Sequence, residues 1–272
     1  MHKIFKFTEN NFTKVGLFDG NQHYELPSVD LQFKELLEDA NHLFRIAVSD
    51  LKKIDNPQFL LPFEDAARIF AVGLNYQDHA AEVAFDLPKY PNVFTRFQTS
   101  FVAANNDIKL SNNSTKFDYE GELAVVIKGH AKNIKAEEAH NYIASFTIAN
   151  DVTVRDYQGK STQWLLGKNF DNSGSIGPYV LIGSQYSLQD FIITTRLNEE
   201  IVQEASADQM VINISQIIAV ISESLALKTG DIILTGTPSG VGYKQNPSRF
   251  LKSGDKVEVE ISNIGKLINY VG

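Results

Sequence analysis

Apolar and polar residues alternate over the first 26 positions. Ile4, Phe5 and Phe7 form one apolar run, Val15, Leu17 and Phe18 form the next, and Asp19-Gly20-Asn21 reads as the turn that follows. A period of two sends successive side chains to opposite faces, so residues 3 to 26 are expected to be strands. The period then lengthens: Phe33, Leu36, Leu37, Ala40, Leu43 and Phe44 recur at helical spacing and predict a short helix after the hairpin. Asn56-Pro57 and Leu61-Pro62 interrupt both helices and central strands. A boundary is expected there, with a small N-terminal α/β domain over 1–62 and a catalytic domain over 63–272.

From Arg68 onward the pattern is strand-rich, with runs at Ile69 to Val72, Leu123 to Ile127 and Phe146 to Ala149. Two helices are expected to interrupt it, Ala136 to Ala144 and Val211 to Leu227. In the second, Ile214, Ile217, Ile218, Ile221 and Leu225 make one apolar stripe that reads as core packing. Lys228-Thr229-Gly230-Asp231 and Lys252-Ser253-Gly254-Asp255 look like turns that launch strands at 232–234 and 257–261. Val257, Val259 and Ile261 alternate with Glu258 and Glu260, and Asn263-Ile264-Gly265 returns the chain into 267–271 as a hairpin. The expected class is α+β, predominantly β.

Composition narrows the chemistry. At 272 residues, 43% hydrophobic and 21% charged, the chain can bury a sizeable core. A net charge of −8 argues against a nucleic-acid partner, which needs a basic face. The chain has no cysteine, so thiolate ligands, Cys nucleophiles and disulfides are excluded. No run of about 18 apolar residues predicts a membrane span, and the alternating N-terminal pattern is not that of a signal peptide. The cytoplasm is the expected address, with no membrane partner. No Gly-x-Ser-x-Gly elbow, His-Glu-x-x-His or EF-hand loop occurs, which leaves carboxylates, His, Lys and hydroxyls to do chemistry.

The sharpest local signal is Asp118-Tyr119-Glu120-Gly121-Glu122-Leu123. Glu120 and Glu122, two apart on a strand, project from one face, where they repel unless a cation lies between them. A solvated strand face gives the same spacing, as Glu258 and Glu260 show. Asp151, at the end of the apolar run Ile148-Ala149-Asn150, is a candidate third carboxylate, and also an ordinary turn residue. Three carboxylates would suit a hard ion such as Mg²⁺, Mn²⁺ or Ca²⁺. In Gly73-Leu74-Asn75-Tyr76-Gln77-Asp78-His79, Asp78 is placed to cap a short helix on which His79 and Glu82 share a face. That pair suits a water-activating base, or equally a surface ion pair. The segment 234–242 lacks the Gly-Lys-Ser/Thr ending of a phosphate loop, and Pro238 breaks the dinucleotide fingerprint. It can still present the Thr237 hydroxyl and backbone N–H groups to a carboxylate.

Six segments together resemble the fumarylacetoacetate hydrolase family, in the family's order and over about Ile69 to Val271. They are Val72-Gly73-Leu74-Asn75-Tyr76 with His79 and Glu82; Asp118 to Leu123; Asn150 to Gln158; Gly167-Lys168-Asn169-Phe170-Asp171; Gly177-Pro178; and Thr235 to Gly242. The resemblance implies a mixed β-roll assembled as a homodimer and a metal ion, Mg²⁺ or Mn²⁺, on Glu120, Glu122 and Asp151. It implies a catalytic dyad of His79 and Glu82 on a mobile lid, a catalytic Lys168, and substrate binding by Arg155, Gln158 and Thr237. One departure stands out: most members have Phe-x-Lys-Pro where this chain reads Phe94-Thr95-Arg96-Phe97. A guanidinium grips a carboxylate through two parallel hydrogen bonds and cannot act as a base, so Arg96 is expected to bind substrate.

The expected reaction is hydrolysis of a carbon–carbon bond in a 2,4-dioxo acid of the acylpyruvate kind. The alternative is decarboxylation or isomerisation of a related 2-oxo acid such as oxaloacetate. A third reading, from another class, is a non-catalytic β module holding a structural Ca²⁺, which would have no use for His79 and Glu82.

Overall fold

The computed structural model describes residues 2–27, 33–41, 43–83, 89–183 and 185–272. The N-terminal alternation forms an antiparallel meander of β1 (Lys3–Glu9), β2 (Phe12–Phe18) and β3 (His23–Glu25), extended by β4 (Lys52–Ile54). The turn at 19–21 forms as expected: Asp19 Oδ1 accepts the N–H groups of Asn21 and Gln22, both at 2.8 Å. The helix expected from Phe33 to Phe44 is shorter. α1 (Phe33–Glu38) buries Phe33, Leu36 and Leu37, and Leu43 begins a separate 3₁₀ turn.

Beyond the proline-rich stretch come β5 (Ile69–Gly73), β6 (Asn92–Arg96), β7 (Gly121–Ile127), β8 (Ile143–Asn150), β9 (Val180–Ile182), β10 (Ile192–Leu197), β11 (Glu200–Ser206), β12 (Ile232–Leu234), β13 (Lys256–Ile261) and β14 (Gly265–Tyr270). A 13-stranded mixed sheet carries the spine β4-β3-β2-β1-β9-β8-β7-β12-β5-β6, in which only β12 and β5 run parallel. Four further strands form a second, antiparallel sheet in the order β11-β10-β13-β14, which packs across β7 and β8. The turns at 228–231 and 252–255 launch β12 and β13 as expected, and β13 and β14 are the expected hairpin. The boundary at residue 62 is not a break in the sheet, because β1 hydrogen-bonds directly to β9.

β7 explains the two-sided core. Leu123, Val125 and Ile127 join one apolar cluster with Phe146, Ile193, Val259 and Ile261, whereas Ala124 and Val126 join another with Ile4, Leu17 and the buried face of α1. A strand covered on both faces reads as a continuous apolar run, which is what residues 123–127 are.

The remaining helices are α2 (Gln77–Val83), α3 (Arg155–Gln158), α4 (Leu165–Lys168) and α5 (Ile214–Ser224). In α5, Asn213 and Gln216 exchange side-chain-to-backbone bonds at 3.0 Å, and the stripe Ile214, Ile217, Ile218 and Ile221 is buried. The helix is shorter at both ends than the expected 211–227. The helix expected at 136–144 is a 3₁₀ segment, Ala136–Tyr142, and Ile143 and Ala144 belong to β8. The buried edge of β8 claims their backbone: Gly183 N–H donates to the Ala144 carbonyl at 3.1 Å.

Phe5 ties the N-terminal strands to the rest. Fully buried, it meets Phe7, His23, Phe59 and Tyr179 with ring centroids 5.2–6.2 Å apart. Phe5→Ala should cost about 3–5 kcal/mol in urea denaturation. Trp164, the only tryptophan, lies outside the N-terminal strands, so its fluorescence and far-UV circular dichroism should report one shared midpoint. Separate midpoints would show that the N-terminal strands unfold on their own.

Candidate active site

The strand alternation seen in the sequence places Glu120 and Glu122 as expected. Asp151 lies across from Glu120 where the pairing of β7 with β8 runs on, since Asp151 N–H donates to the Glu120 carbonyl at 2.8 Å. Ligand oxygens of Glu120, Glu122 and Asp151 all lie within 4.8 Å of one another, and all three residues are buried. The cluster forms the floor of a cavity of about 590 Å³, also lined by His79, Phe94, Arg155, Gln158, Trp164, Lys168, Thr237 and Tyr243.

Three cations answer these acids. Lys168 Nζ lies 2.6 Å from Glu120 Oε2 and 2.5 Å from Asp151 Oδ2. Arg155 donates from Nε to Asp118 Oδ2 at 2.8 Å and pairs through Nη2 with Glu120 Oε1 at 2.7 Å. Arg96 Nη1 pairs with Asp151 Oδ1. Among the described residues Glu122 pairs with no such cation, and its Oε2 accepts the Gly236 N–H at 2.8 Å.

This asymmetry sets the ionisation of the two glutamates. Burial opposes the charge on Glu120, but Lys168 and Arg155 prevail and pull its carboxyl down to about 2. Burial, followed by the negative charge of Asp151, pushes Glu122 well above the usual carboxylate range; Lys168 opposes this, and Glu120 adds to it. Counting Asp118, four carboxylates face three cations, so one negative charge is in excess and falls on Glu122. A divalent ion fits that deficit and the all-oxygen donor set, and the site can hold one.

His79 is buried in α2, with Nδ1 3.3 Å from Glu82 Oε2. Glu82 is fixed in turn by the Gly240 N–H, at 3.1 Å to Oε1 and 3.3 Å to Oε2. Glu82 therefore stands behind the imidazole, which lines the cavity. Asp78 lies inside the first turn of α2 rather than before it. Part of the segment expected to form a lid, residues 84–88, lies outside the described residues.

Gly73 packs against Trp164: a Cβ there would come within 2.2 Å of Trp164 Cζ3. The strain falls on the next residue, Leu74, which lines the cavity at φ +60°, a conformation costly for a non-glycine residue.

The loop after β12 presents its N–H groups to carboxylates, as the sequence allows, but the carboxylates are the protein's own. Gly236 serves Glu122, Gly240 serves Glu82, and Gly242 donates to Asp118 at 2.7 Å. The Thr237 hydroxyl donates to the Gly121 carbonyl at 3.0 Å and accepts from Gln203 Nε2 at 2.8 Å, which leaves it no hydrogen for a substrate. Gln158 accepts from Arg155 Nη1 at 3.1 Å at the cavity wall. Arg96, expected to bind substrate, pairs with Asp151 and is not among the residues that line the cavity. Sequence reasoning gave no role to Asp118, Gln203, Trp164 or Tyr243. For Asp118 a signal existed, since it shares the strand parity of Glu120 and Glu122.

A predominantly β mixed-sheet fold, with a buried acidic cluster that could hold a metal ion and a His–Glu pair at one cavity, defines the class of fold and site. The family described as fumarylacetoacetate (FAA) hydrolase C-terminal matches residues 68–272, and the chain belongs to the fumarylacetoacetate hydrolase family. It is 41% identical to the mitochondrial oxaloacetate tautomerase Fahd2a of Rattus norvegicus, over 90% of this chain and 80% of the relative. It is 35% identical to the mitochondrial oxaloacetate tautomerase fahd2 of Xenopus laevis, over 98% of this chain and 88% of the relative. Among solved structures, the fumarylacetoacetate hydrolase of Exiguobacterium antarcticum superposes with a TM-score of 0.89 at 29% identity, covering 100% of this chain and 99% of that one. The 5-carboxymethyl-2-hydroxymuconate delta-isomerase of Mycobacterium smegmatis superposes at 0.80 with 27% identity, covering 100% and 99%. No helix among the described residues is long and apolar enough to cross a membrane.

The raised Glu122 gives a pH test. Its contribution to the metal-free fold is fully present below the ordinary value of 4.5 and is lost as pH rises through the raised folded value. Metal binding needs the ionised form, so the rise in Tm produced by Mg²⁺ should grow as pH increases above 4.5. Glu122→Gln should keep the fold and abolish that rise at every pH. An unchanged Mg²⁺ response in the variant would show that Glu122 is not a ligand.

Proposed function

We propose that this chain is a divalent-metal-dependent isomerase of small 2-oxo acids that interconverts the keto and enol forms of oxaloacetate or a close dicarboxylic relative. The observation that carries the reading is one cavity holding both a buttressed imidazole, His79 with Glu82, and three convergent carboxylates. Support comes from relatives 35–41% identical over most of the chain that are named oxaloacetate tautomerases.

Keto–enol exchange moves one proton between carbon 3 and the oxygen on carbon 2 and consumes no water. His79 is the group placed to take the carbon-bound proton, and Glu82 steadies the imidazolium that results. Glu120, Glu122 and Asp151 are the proposed holders of Mg²⁺ or Mn²⁺, which when bound supplies a fixed positive charge for the oxo-acid head. Lys168 and Arg155 keep Glu120 ionised and bring positive charge to the cavity wall; Arg155 orients Gln158 beside it. With a dication added, the four carboxylates and three cations leave one positive charge in excess, which favours an anionic substrate.

Hydrolysis of an acylpyruvate is the second reading, and a specific feature favours it. Leu74, Phe94 and Trp164 give the cavity an apolar wall suited to an acyl chain, and the His79–Glu82 pair serves equally to activate water. We also propose a homodimer. Exposed Val93, Phe97, Leu165 and Leu166 lie on the neighbouring β6 and α4 segments and supply an apolar surface for it.

The test compares relaxation of oxaloacetate's keto–enol ratio, followed by enol absorbance, with cleavage of acetylpyruvate, both at saturating Mg²⁺. The wild type should accelerate the first, and His79→Ala should lose about 10² to 10⁴-fold in turnover with little change in substrate binding. Acetylpyruvate cleavage with oxaloacetate relaxing at its spontaneous rate would replace the isomerase by the hydrolase. Loss of CO₂ from oxaloacetate, retained in His79→Ala, would instead indicate a decarboxylase.

A further inference from the structure

Each carboxylate of the triad has one oxygen held from outside the cluster. Arg155 holds Glu120 Oε1, the Gly236 N–H holds Glu122 Oε2, and Arg96 holds Asp151 Oδ1. What is left is one oxygen per acid: Glu120 Oε2, Glu122 Oε1 and Asp151 Oδ2. Among the described residues, two of these three carry only the Lys168 ammonium, a point charge on a flexible stem that a dication can displace.

Arg96 cannot yield in the same way. It ends β6 almost fully buried, its Nε donates to Ser100 Oγ at 3.1 Å, and its guanidinium lies 4.4 Å from the centroid of the Phe101 ring. Nη2 is buried with no hydrogen-bond partner among the described residues, and a Cβ on Gly174 would approach it to 2.8 Å. An unsatisfied buried N–H is costly, so packing alone does not account for an arginine here. A lysine, with one donor centre, could not hold Ser100 and Asp151 in a fixed plane.

We propose that Arg96 is a positioning residue that confines Asp151 to single-oxygen ligation and so biases the site toward Mg²⁺ and against Ca²⁺. Ca²⁺ takes six to eight oxygens, commonly with a carboxylate giving both of its own, whereas Mg²⁺ takes about six in a near-octahedral arrangement and keeps waters. With Oδ1 held by a rigid donor, Asp151 can offer only Oδ2. The inference rests on the triad being a metal site, and the experiment separates the failure of one from the failure of the other.

The measurement is calorimetric titration of metal-free wild type, Arg96→Met and Arg96→Lys with MgCl₂ and with CaCl₂, alongside melting curves. Removing a positive charge should tighten both ions in Arg96→Met, but Ca²⁺ should gain at least about tenfold over Mg²⁺ because Oδ1 is released. Arg96→Lys keeps the charge, tests the proposal even if the methionine variant does not fold, and should shift the ratio the same way by at least about threefold. Equal tightening of both ions in Arg96→Met, or an unchanged ratio in Arg96→Lys, would overturn the role of Arg96. A wild type that binds neither ion would overturn the metal site itself.

Discussion

Asp118, Glu120, Glu122 and Asp151 are each at most 5% exposed, and the loss of water around four neighbouring carboxylates is the constraint the rest of the structure answers. A buried carboxylate without partners would give up its charge, and removing one partner from a buried ion pair typically costs about 3–5 kcal/mol. Three cations and three glycine N–H groups therefore converge on five acids, the four named and Glu82 behind His79. These contacts do little for net stability, since apolar residues of equal volume would pack as well. Their effect is to fix which oxygens remain available.

The fold supplies these partners through sheet geometry. Pairing of β7 with β8 puts Glu120, Glu122 and Asp151 at one edge of the apolar sheet, while β12 beside β7 delivers the glycine loop directly over Glu122. Gly121 between the two glutamates leaves room for the second sheet, since a Cβ there would lie 2.1 Å from Thr195 Oγ1. Gln203, from β11 in that sheet, accepts the Gly121 N–H at 3.0 Å and ties the loop at Thr237 and Pro238. Both sheets thus brace one short acidic segment, which makes the site rigid where it carries charge.

The legible parts of the sequence were local ones. Period-two alternation gave the strands and the common face of Glu120 and Glu122; helical spacing gave α5 and the His79–Glu82 pair. The errors arose where long-range contacts overrode local pattern. Residues 143 and 144 left a helical run because β8 pairs across them, and β1 joined β9, more than 160 residues away, a pairing no local pattern announces. The ion pairs are equally remote: Lys168 is 48 residues from Glu120, and Arg96 is 55 from Asp151. No periodicity assigns cations to acids at such distances, so the pairing of Arg96 with Asp151 was not legible in the sequence.

The glycine loop shows how a correct physical inference can have the wrong object. Its composition announced N–H groups turned toward anions, and the absence of a Gly-Lys-Ser/Thr ending removed nucleotides from consideration. The anions proved to be Glu122, Glu82 and Asp118. This internal use has a consequence for catalysis. The loop's donors at 236, 240 and 242 are spent on the protein's own carboxylates, and the Thr237 hydroxyl is spent on Gly121. Under the proposed function, charge for an incoming oxo acid would come from the cluster as a whole, where one bound dication would turn an excess of one negative charge into one positive. His79 stands outside that charge balance, held from behind by Glu82, which is itself fixed by the Gly240 N–H.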